Sequence, residues 1–344
     1  MNRPDILFQS DEKYAKVLAP AIKSLCVNNR DADFRIVVID CGLSQKSRKL
    51  LQKMTKEDGR SVTFVTGDEL EKEVGDFGFS EYKGYRENRV SYLKMLYPTS
   101  AMASDRILYI DCDTAVTGSI KGLLKTDLKG NVMAAALDCY TDTGHKKMIG
   151  MRPEEPFYNS GVMLIDKKRW KEEKIFENII EQKNSGVKYN TVDQDYINIA
   201  VRGKCLTIGC RYNYQPAHID YSPSVYFSSY HKDDLYYTPE ELIKGRKHIV
   251  ILHYFRYLGM HPWDKDSMHP DEKVYRKYLS MTPWRNMPIR KKKVGPAIMF
   301  ERVMYRLLPD RLYLILFRFM RRTYNRLFKL KTAVTDRFKS ATGK

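Results

Sequence analysis

The chain has no Cys-x-x-Cys pair and no His/Cys spacing of the zinc type, although it holds six cysteines: Cys26, Cys41, Cys112, Cys139, Cys205 and Cys210. That excludes a zinc ribbon or a dithiol redox motif. Several of these cysteines sit inside apolar, strand-like runs, where a thiol behaves as a small hydrophobe, and a reducing compartment is the expected setting. No apolar run approaches the roughly 18 residues that a membrane-spanning helix needs; the best, Leu312 to Met320, is interrupted by Arg318. Met1-Asn2-Arg3-Pro4-Asp5 leads straight into a strand pattern with no signal-peptide core, so a cytoplasmic protein is expected. Low-complexity tracts and internal repeats are also missing. What remains is 344 residues, 43% hydrophobic and 12% aromatic, a globular composition long enough for one large or two modest domains.

Acidic charge is scarce in one region only. From Arg290 to Lys344 there are 16 Lys and Arg against Glu301, Asp310 and Asp336, a net of +13 out of the chain's +18. The body is therefore nearly balanced, and the basic excess belongs to the tail, which calls for an anionic partner. The division that follows is a body over residues 1–282 and a basic tail over 283–344, separated by the Pro283–Pro296 stretch with Arg290-Lys291-Lys292-Lys293 inside it.

Along the body, Asp5–Phe8 reads as a first strand, followed by a helix from about Tyr14 to Val27 that contains Pro20. Phe34–Ile39 is a continuous apolar strand, Ser44 caps an amphipathic helix reaching about Glu57, and Val62–Val65 is another short strand. This rhythm predicts an α/β domain with a mostly parallel sheet, which binds ligands at the carboxyl ends of its strands. Further on, Arg89–Met102 reads as helix, Val132–Leu137 as strand, and Val162–Ile165 as a strand that follows Phe157-Tyr158-Asn159-Ser160-Gly161, where the plain alternative to a functional role for Asn159-Ser160-Gly161 is a tight turn. One charged helix is expected over about Lys167 to Asn184, another opening at Asp193-Gln194-Asp195, and a long irregular loop after Arg211. Ile249–Leu252 is a last strand, ending at His253.

The chemistry concentrates at the ends of these strands. The β-branched run Arg106–Ile110 stops at Asp111-Cys112-Asp113. Residues i and i+2 of an extended chain point the same way, so the two carboxylates can converge on one hard cation, which in turn holds a diphosphate. Taken alone, such a pair also fills turns and caps helices, as Asp138 can. Adding His253 gives an O/N ligand set suited to Mn²⁺ or Mg²⁺, with the imidazole favouring Mn²⁺.

The motifs, in order, resemble glycosyltransferase family 8, the group of bacterial lipopolysaccharide galactosyl- and glucosyltransferases with glycogenin as a distant member. The resemblance covers roughly residues 5 to 265 and rests on several elements. They are the first strand with Asp11 and Tyr14, Tyr92-Leu93-Lys94-Met95-Leu96, Ile110-Asp111-Cys112-Asp113, Phe157-Tyr158-Asn159-Ser160-Gly161-Val162, Asp193-Gln194-Asp195 and Ile251-Leu252-His253-Tyr254. It implies a GT-A fold and retaining transfer of a hexose from UDP-galactose or UDP-glucose to a glycan or lipid-linked acceptor. In that frame Asp11 binds uracil with Tyr14 beside the base, and Asp111, Asp113 and His253 hold Mn²⁺. Lys94, where the family usually has Arg, adds charge near the phosphates; Cys112 lies between the two ligands. Asp138, Asn159, Ser160, Gly161, Asp193 and Gln194 line the donor sugar. Gln194 matches the residue nearest the anomeric carbon, and Asp193 orients a sugar hydroxyl. The segment from His253 to Trp263 departs from the family pattern: the loop is about two residues longer, and His261 stands where a phosphate-binding Lys is usual. Arg256, Gly259 and His261 are its candidate donor contacts, and Arg256 could restore the missing charge.

Residues 297–330 alternate apolar and basic positions, the pattern of an amphipathic helix lying on an anionic membrane surface. The alternative is a helix packed on the body with its basic face in water. Together these readings predict a peripheral protein on the inner face of the plasma membrane. Three rivals fit less well. A haloacid-dehalogenase-type phosphatase wants Thr or Val at the position of Ala115 and its motif near the N-terminus. A GT-A nucleotidyltransferase wants a glycine-rich basic phosphate loop near its start. A non-catalytic membrane adaptor leaves the motif order unexplained, and a nucleic-acid partner is not expected from the near-neutral body.

Overall fold

The computed structural model describes residues 3–74, 93–95, 102–185, 189, 191–230, 235–287, 291–320 and 323. Its centre is a seven-stranded sheet built from β1 (Asp5–Ser10), β2 (Arg35–Asp40), β3 (Val62–Thr66), β4 (Arg106–Ile110), β6 (Met133–Leu137), β7 (Tyr158–Asp166) and β8 (Cys205–Thr207). The spatial order is β3-β2-β1-β4-β7-β6-β8. All neighbouring pairs are parallel except the two made by β7, which runs antiparallel between β4 and β6. Two short strands, β5 (Thr114–Val116) and β9 (Ile251–His253), form a separate antiparallel pair at the edge of the site.

The apolar runs become these strands because both faces of a parallel sheet are covered by helices. Alternate residues divide between two cores. Leu7, Val37, Ile39, Ile107 and Tyr109 face one side. Ile6, Phe8, Ile36, Val38, Leu108 and Ile110 face the other, against helix Ala15–Asn28. Pro20 is accommodated inside that helix. Asp5, fully buried at the start of β1, is neutralised by Arg35 and accepts the Ser104 amide at 3.0 Å. Such pairing is what a buried carboxylate requires.

One plain alternative falls away and two expectations are corrected. Asn159-Ser160-Gly161 is not a turn but part of β7, because the Gly161 carbonyl continues the ladder by accepting the Asp111 amide at 2.8 Å. The stretch read as one helix divides into Lys167–Glu172 and Ile175–Asn184, with Lys174 between them at φ 50°. After Arg211 the chain is largely helical rather than irregular: Pro216–Asp220, Pro223–Tyr230 and Pro239–Lys247 each begin at a proline. At the first helical position the missing N–H costs nothing, so those prolines start helices instead of breaking them. Most of the expected helix Arg89–Met102 lies outside the described residues.

Candidate active site and metal centre

β1 and β4 are parallel neighbours, so Asp11 and Asp111 leave adjacent strands at the same edge of the sheet. The β5–β9 pairing sets Thr114 opposite His253, and the Tyr254 amide donates to the Asp113 carbonyl at 2.8 Å. This register carries His253 back over the two aspartates. Its Nε2 lies 3.9 Å from Asp111 Oδ2 and 3.4 Å from Asp113 Oδ1, and one ligand atom from each of the three residues falls within 4.8 Å of the others.

The imidazole is fixed from behind. His253 Nδ1 sits 2.9 Å from Asn213 Oδ1, an acceptor, so Nδ1 carries the proton and Nε2 keeps its lone pair toward the carboxylates. Asn213 in turn donates to Asn159 Oδ1 at 2.7 Å. Gly161 leaves the space for the ring: a Cβ there would stand 2.2 Å from His253 Cε1. Tyr109, two residues before Asp111 on the same face, donates to Asp111 Oδ1 at 2.5 Å. That leaves Oδ2 on the His253 side.

Burial and the neighbouring Asp113 charge push Asp111 above the usual carboxylate range, against the pull of Lys94 and His253. Burial also pushes Asp113 up, but His253 and His261 outweigh it and hold this carboxyl low. Two carboxylates held together, with His253 Nε2 facing both, suit a divalent cation. The three residues therefore fit the implied metal. The Cys112 thiol between them is pushed well up by burial and by the flanking aspartates, which keeps it protonated and inert.

A second network adjoins the triad. Lys94 is buried and ion-paired with Asp193, lies 3.6 Å from Asp111 Oδ1, and donates to Ser160 Oγ at 3.2 Å. Burial alone would lower its pKa, but the charges of Asp111, Asp193 and Asp113 raise it, so it stays cationic. Ser160 Oγ donates to Asp193 Oδ2 at 3.0 Å. Gln194 Oε1 accepts from Asn159 Nδ2 at 3.0 Å and from the Ser160 amide at 3.2 Å, while its Nε2 donates to Asp138 Oδ2 at 3.3 Å. Asp138 Oδ1 accepts from the amides of Tyr140 and Thr141 and from Thr141 Oγ1.

At the other end, Asp11 Oδ1 caps a short 3₁₀ turn by accepting the Tyr14 amide at 3.0 Å, and the exposed Tyr14 ring meets Trp263 edge-on at 6.3 Å. The loop from β9 to Trp263 thus reaches the start of the first helix. His261 stacks on Trp263 with centroids 4.6 Å apart. Burial lowers its pKa, and Lys292 and Arg256 lower it further despite Asp113 and Asp264. The ring is neutral at pH 7 and does not replace a permanent lysine charge. Arg256 is exposed, and Gly259 is buried at φ 80°.

Asn213, Tyr109 and Asn198 were not singled out from the sequence. Asn198 lies one turn after Gln194, donates to its carbonyl at 2.8 Å and brackets Tyr158 through both backbone groups. The available signals were the i, i+2 spacing of Tyr109 with Asp111 and the i, i+4 spacing of Asn198 with Gln194. Asn213 has no such local cue.

Residues 5–267 match the family model described as Glycosyl transferase family 8. The chain is 28% identical over 228 residues to a putative glycosyltransferase of Haemophilus influenzae, a match covering 63% of this chain and 64% of that protein. It is 32% identical over 216 residues to glycosyltransferase GlyF of Streptococcus pneumoniae, covering 62% of this chain and 49% of that one. The match therefore spans less than two thirds of either relative. A lipopolysaccharide 1,2-glucosyltransferase of Escherichia coli K12 is 26% identical over 298 residues, covering 82% of this chain and 79% of its own length. Among solved structures, galactosyltransferase LgtC in complex with donor and acceptor sugar analogues superposes with a TM-score of 0.63 at 23% identity, over 86% of this chain and 99% of that one. That likeness establishes the fold, GT-A. With the family model matched from the first strand to beyond His253, the chain belongs to glycosyl transferase family 8.

Proposed function

We propose that the protein transfers a hexose from UDP-galactose or UDP-glucose, with retention, to a glycan or lipid-linked acceptor of a bacterial surface polysaccharide. The observation that carries this reading is the convergence of Asp111, Asp113 and His253 beside the Asp138–Asn159–Gln194 network. Asp111, Asp113 and His253 would hold Mn²⁺, with Mg²⁺ as the second choice. When bound, the cation neutralises the negative charge that builds on the departing diphosphate.

The chain's own groups divide the remaining work. Asp11 and Tyr14 take the uracil end, and Lys94 adds fixed positive charge behind the triad. Asp138, Asn159, Ser160, Gly161 and Asp193 orient the sugar. No described carboxylate on the sugar side is free to attack: Asp193 is neutralised by Lys94, Asp138 accepts through both oxygens, and Asp195 is held by His145 at 2.7 Å. Gln194 Oε1 already accepts two hydrogen bonds, which weakens it further as a nucleophile. These contacts favour front-face substitution. The sugar–phosphate bond breaks, Gln194 faces the oxocarbenium-like centre, and the departing phosphate oxygen takes the acceptor hydroxyl's proton on the same face.

The C-terminal helices support a peripheral membrane role. Met299, Phe300, Val303, Leu307, Leu312, Ile315 and Phe319 are all at least half exposed and recur at helical spacing among Arg302, Arg306, Arg311 and Arg318. No described helix is long and apolar enough to cross a membrane. The direct test of the transferase reading is UDP release from each UDP-hexose with and without Mn²⁺. Asp113→Asn should lose most turnover, whereas an adaptor would be indifferent; failure of every UDP-sugar to bind would refute the enzyme reading.

A further inference from the structure

The loop between His253 and Trp263 is the part of the site that departs most from the family pattern, and the C-terminal segment is built onto it. Tyr257 and Met260 exchange backbone hydrogen bonds, 2.7 and 2.9 Å, closing a two-residue turn at Leu258-Gly259. Both central residues have positive φ, 44° and 80°, as this mirror-image turn requires. Leucine is rarely found in that region, so the surroundings must hold it there. The turn also points two carbonyls outward, and both are taken by cations from the tail. Lys292 Nζ donates to Gly259 O at 2.7 Å, and Arg302 Nε donates to Leu258 O at 3.2 Å.

Packing follows the same path. A Cβ on Gly259 would lie 2.5 Å from Ile298 Cγ2, so helix Pro296–Leu307 sits flat against the glycine. Two turns further along the same helix, Tyr305 meets Tyr257 edge-on at 5.8 Å. Tyr305 also packs on Tyr313, whose hydroxyl donates to Glu301 at 3.2 Å, so the next helical stretch backs the first. On the body side, His269 ties down the loop's beginning: its Nδ1 accepts the Asp271 amide at 3.1 Å, and Nε2 donates to Phe255 O at 3.1 Å. The far end of the loop carries His261 and Trp263 toward Tyr14.

We propose that Lys292, Ile298 and Arg302 are positioning residues for donor binding: they hold the Leu258–Gly259 turn, and through it set the loop that places His261 and Trp263 over the nucleotide. This deepens the UDP-hexose reading and rests on it for the identity of the ligand. It also changes the expectation for the tail. A segment that served only as a membrane anchor could be removed without touching a soluble donor; this one cannot.

The full-length double variant Lys292→Met/Arg302→Met tests the proposal with two readouts. Without nucleotide, hydrogen exchange at the Tyr257 and Met260 amides should speed up at least about tenfold, the cost of losing one charge-assisted hydrogen bond. With nucleotide, the KM for UDP-hexose and the UDP dissociation constant from calorimetry should rise together by about tenfold, with kcat within about threefold of wild type. Lys292→Arg should retain wild-type values. Should the double variant not fold, Ile298→Ala removes the packing without removing a charge and should raise donor KM a few fold. Unchanged exchange, or faster exchange with unchanged donor affinity, overturns the proposal. Anchored amides in a wild-type protein that binds no UDP would instead sink the transferase reading and leave the anchoring intact.

Discussion

At the residue scale, the metal triad depends on groups that never touch the cation. His253 offers Nε2 because Asn213 fixes the proton on Nδ1, and it has room because residue 161 has no side chain. Gly161→Ala would drive a Cβ to 2.2 Å from the imidazole, so the ring must rotate or β7 must shift. The expected outcome is a Mn²⁺-dependent UDP affinity at least about tenfold weaker, at the scale seen when outer partners of a metal ligand are lost. Calorimetric titration of UDP with and without Mn²⁺ measures it, and an unchanged affinity would show that His253 is not held as described. Asp111, Asp113 and His253 could be read from the sequence because each lies at the end of a strand pattern, and the structure brings the three together; Asn159 and Gln194 were reached only through the order of the family motifs. Asn213 and Tyr109 could not be read, since their role lies in a contact with a side chain that is already functional.

Among the secondary-structure elements, the strands were the most legible. A parallel sheet covered on both faces demands continuous apolar runs, and those runs were visible. The helices after Arg211 were hidden by their prolines, which mark starts and were read as breaks. The division at Lys174 was hidden because charged residues continue on both sides of it. One side-chain bond joins two of these elements. His145, on helix Thr143–Met148, sits 2.7 Å from Asp195 on helix Val192–Ala200. Burial pulls the His145 pKa down, but the bond and charge of Asp195, with Asp138 and Asp142, raise it above its ordinary 6.5. A raised folded pKa stabilises the protein fully below the unfolded value and loses that contribution as pH rises through the folded one. His145→Gln should therefore lower the melting temperature more at pH 6 than at pH 9. Melting curves across that range check the sign, and a deficit that grows with pH would contradict the pairing.

Across the whole molecule, composition predicted a basic tail beyond a balanced body, and charge alone could not say where the tail lies. The structure places helix Pro296–Leu307 on the donor loop and leaves an apolar row of Phe300, Val303 and Leu307 exposed between arginines. A membrane role predicts that wild-type protein sediments with phosphatidylserine-containing vesicles and is released as salt rises, since each basic residue near such a surface contributes about 1 kcal/mol. Phe300→Glu/Leu307→Glu should reduce sedimentation at low salt, and unchanged sedimentation would remove the membrane claim while leaving the transferase intact. The central claim concerns the whole assembly of sheet end, triad and Gln194, and the anomeric configuration of the released sugar tests it most directly. Proton NMR of UDP-galactose and UDP-glucose incubated with the protein and Mn²⁺ should show the α-hexose appearing first and mutarotating later, with no release in EDTA or by Asp113→Asn. A β-hexose appearing first, or release indifferent to both EDTA and Asp113→Asn, would contradict retaining transfer at this site.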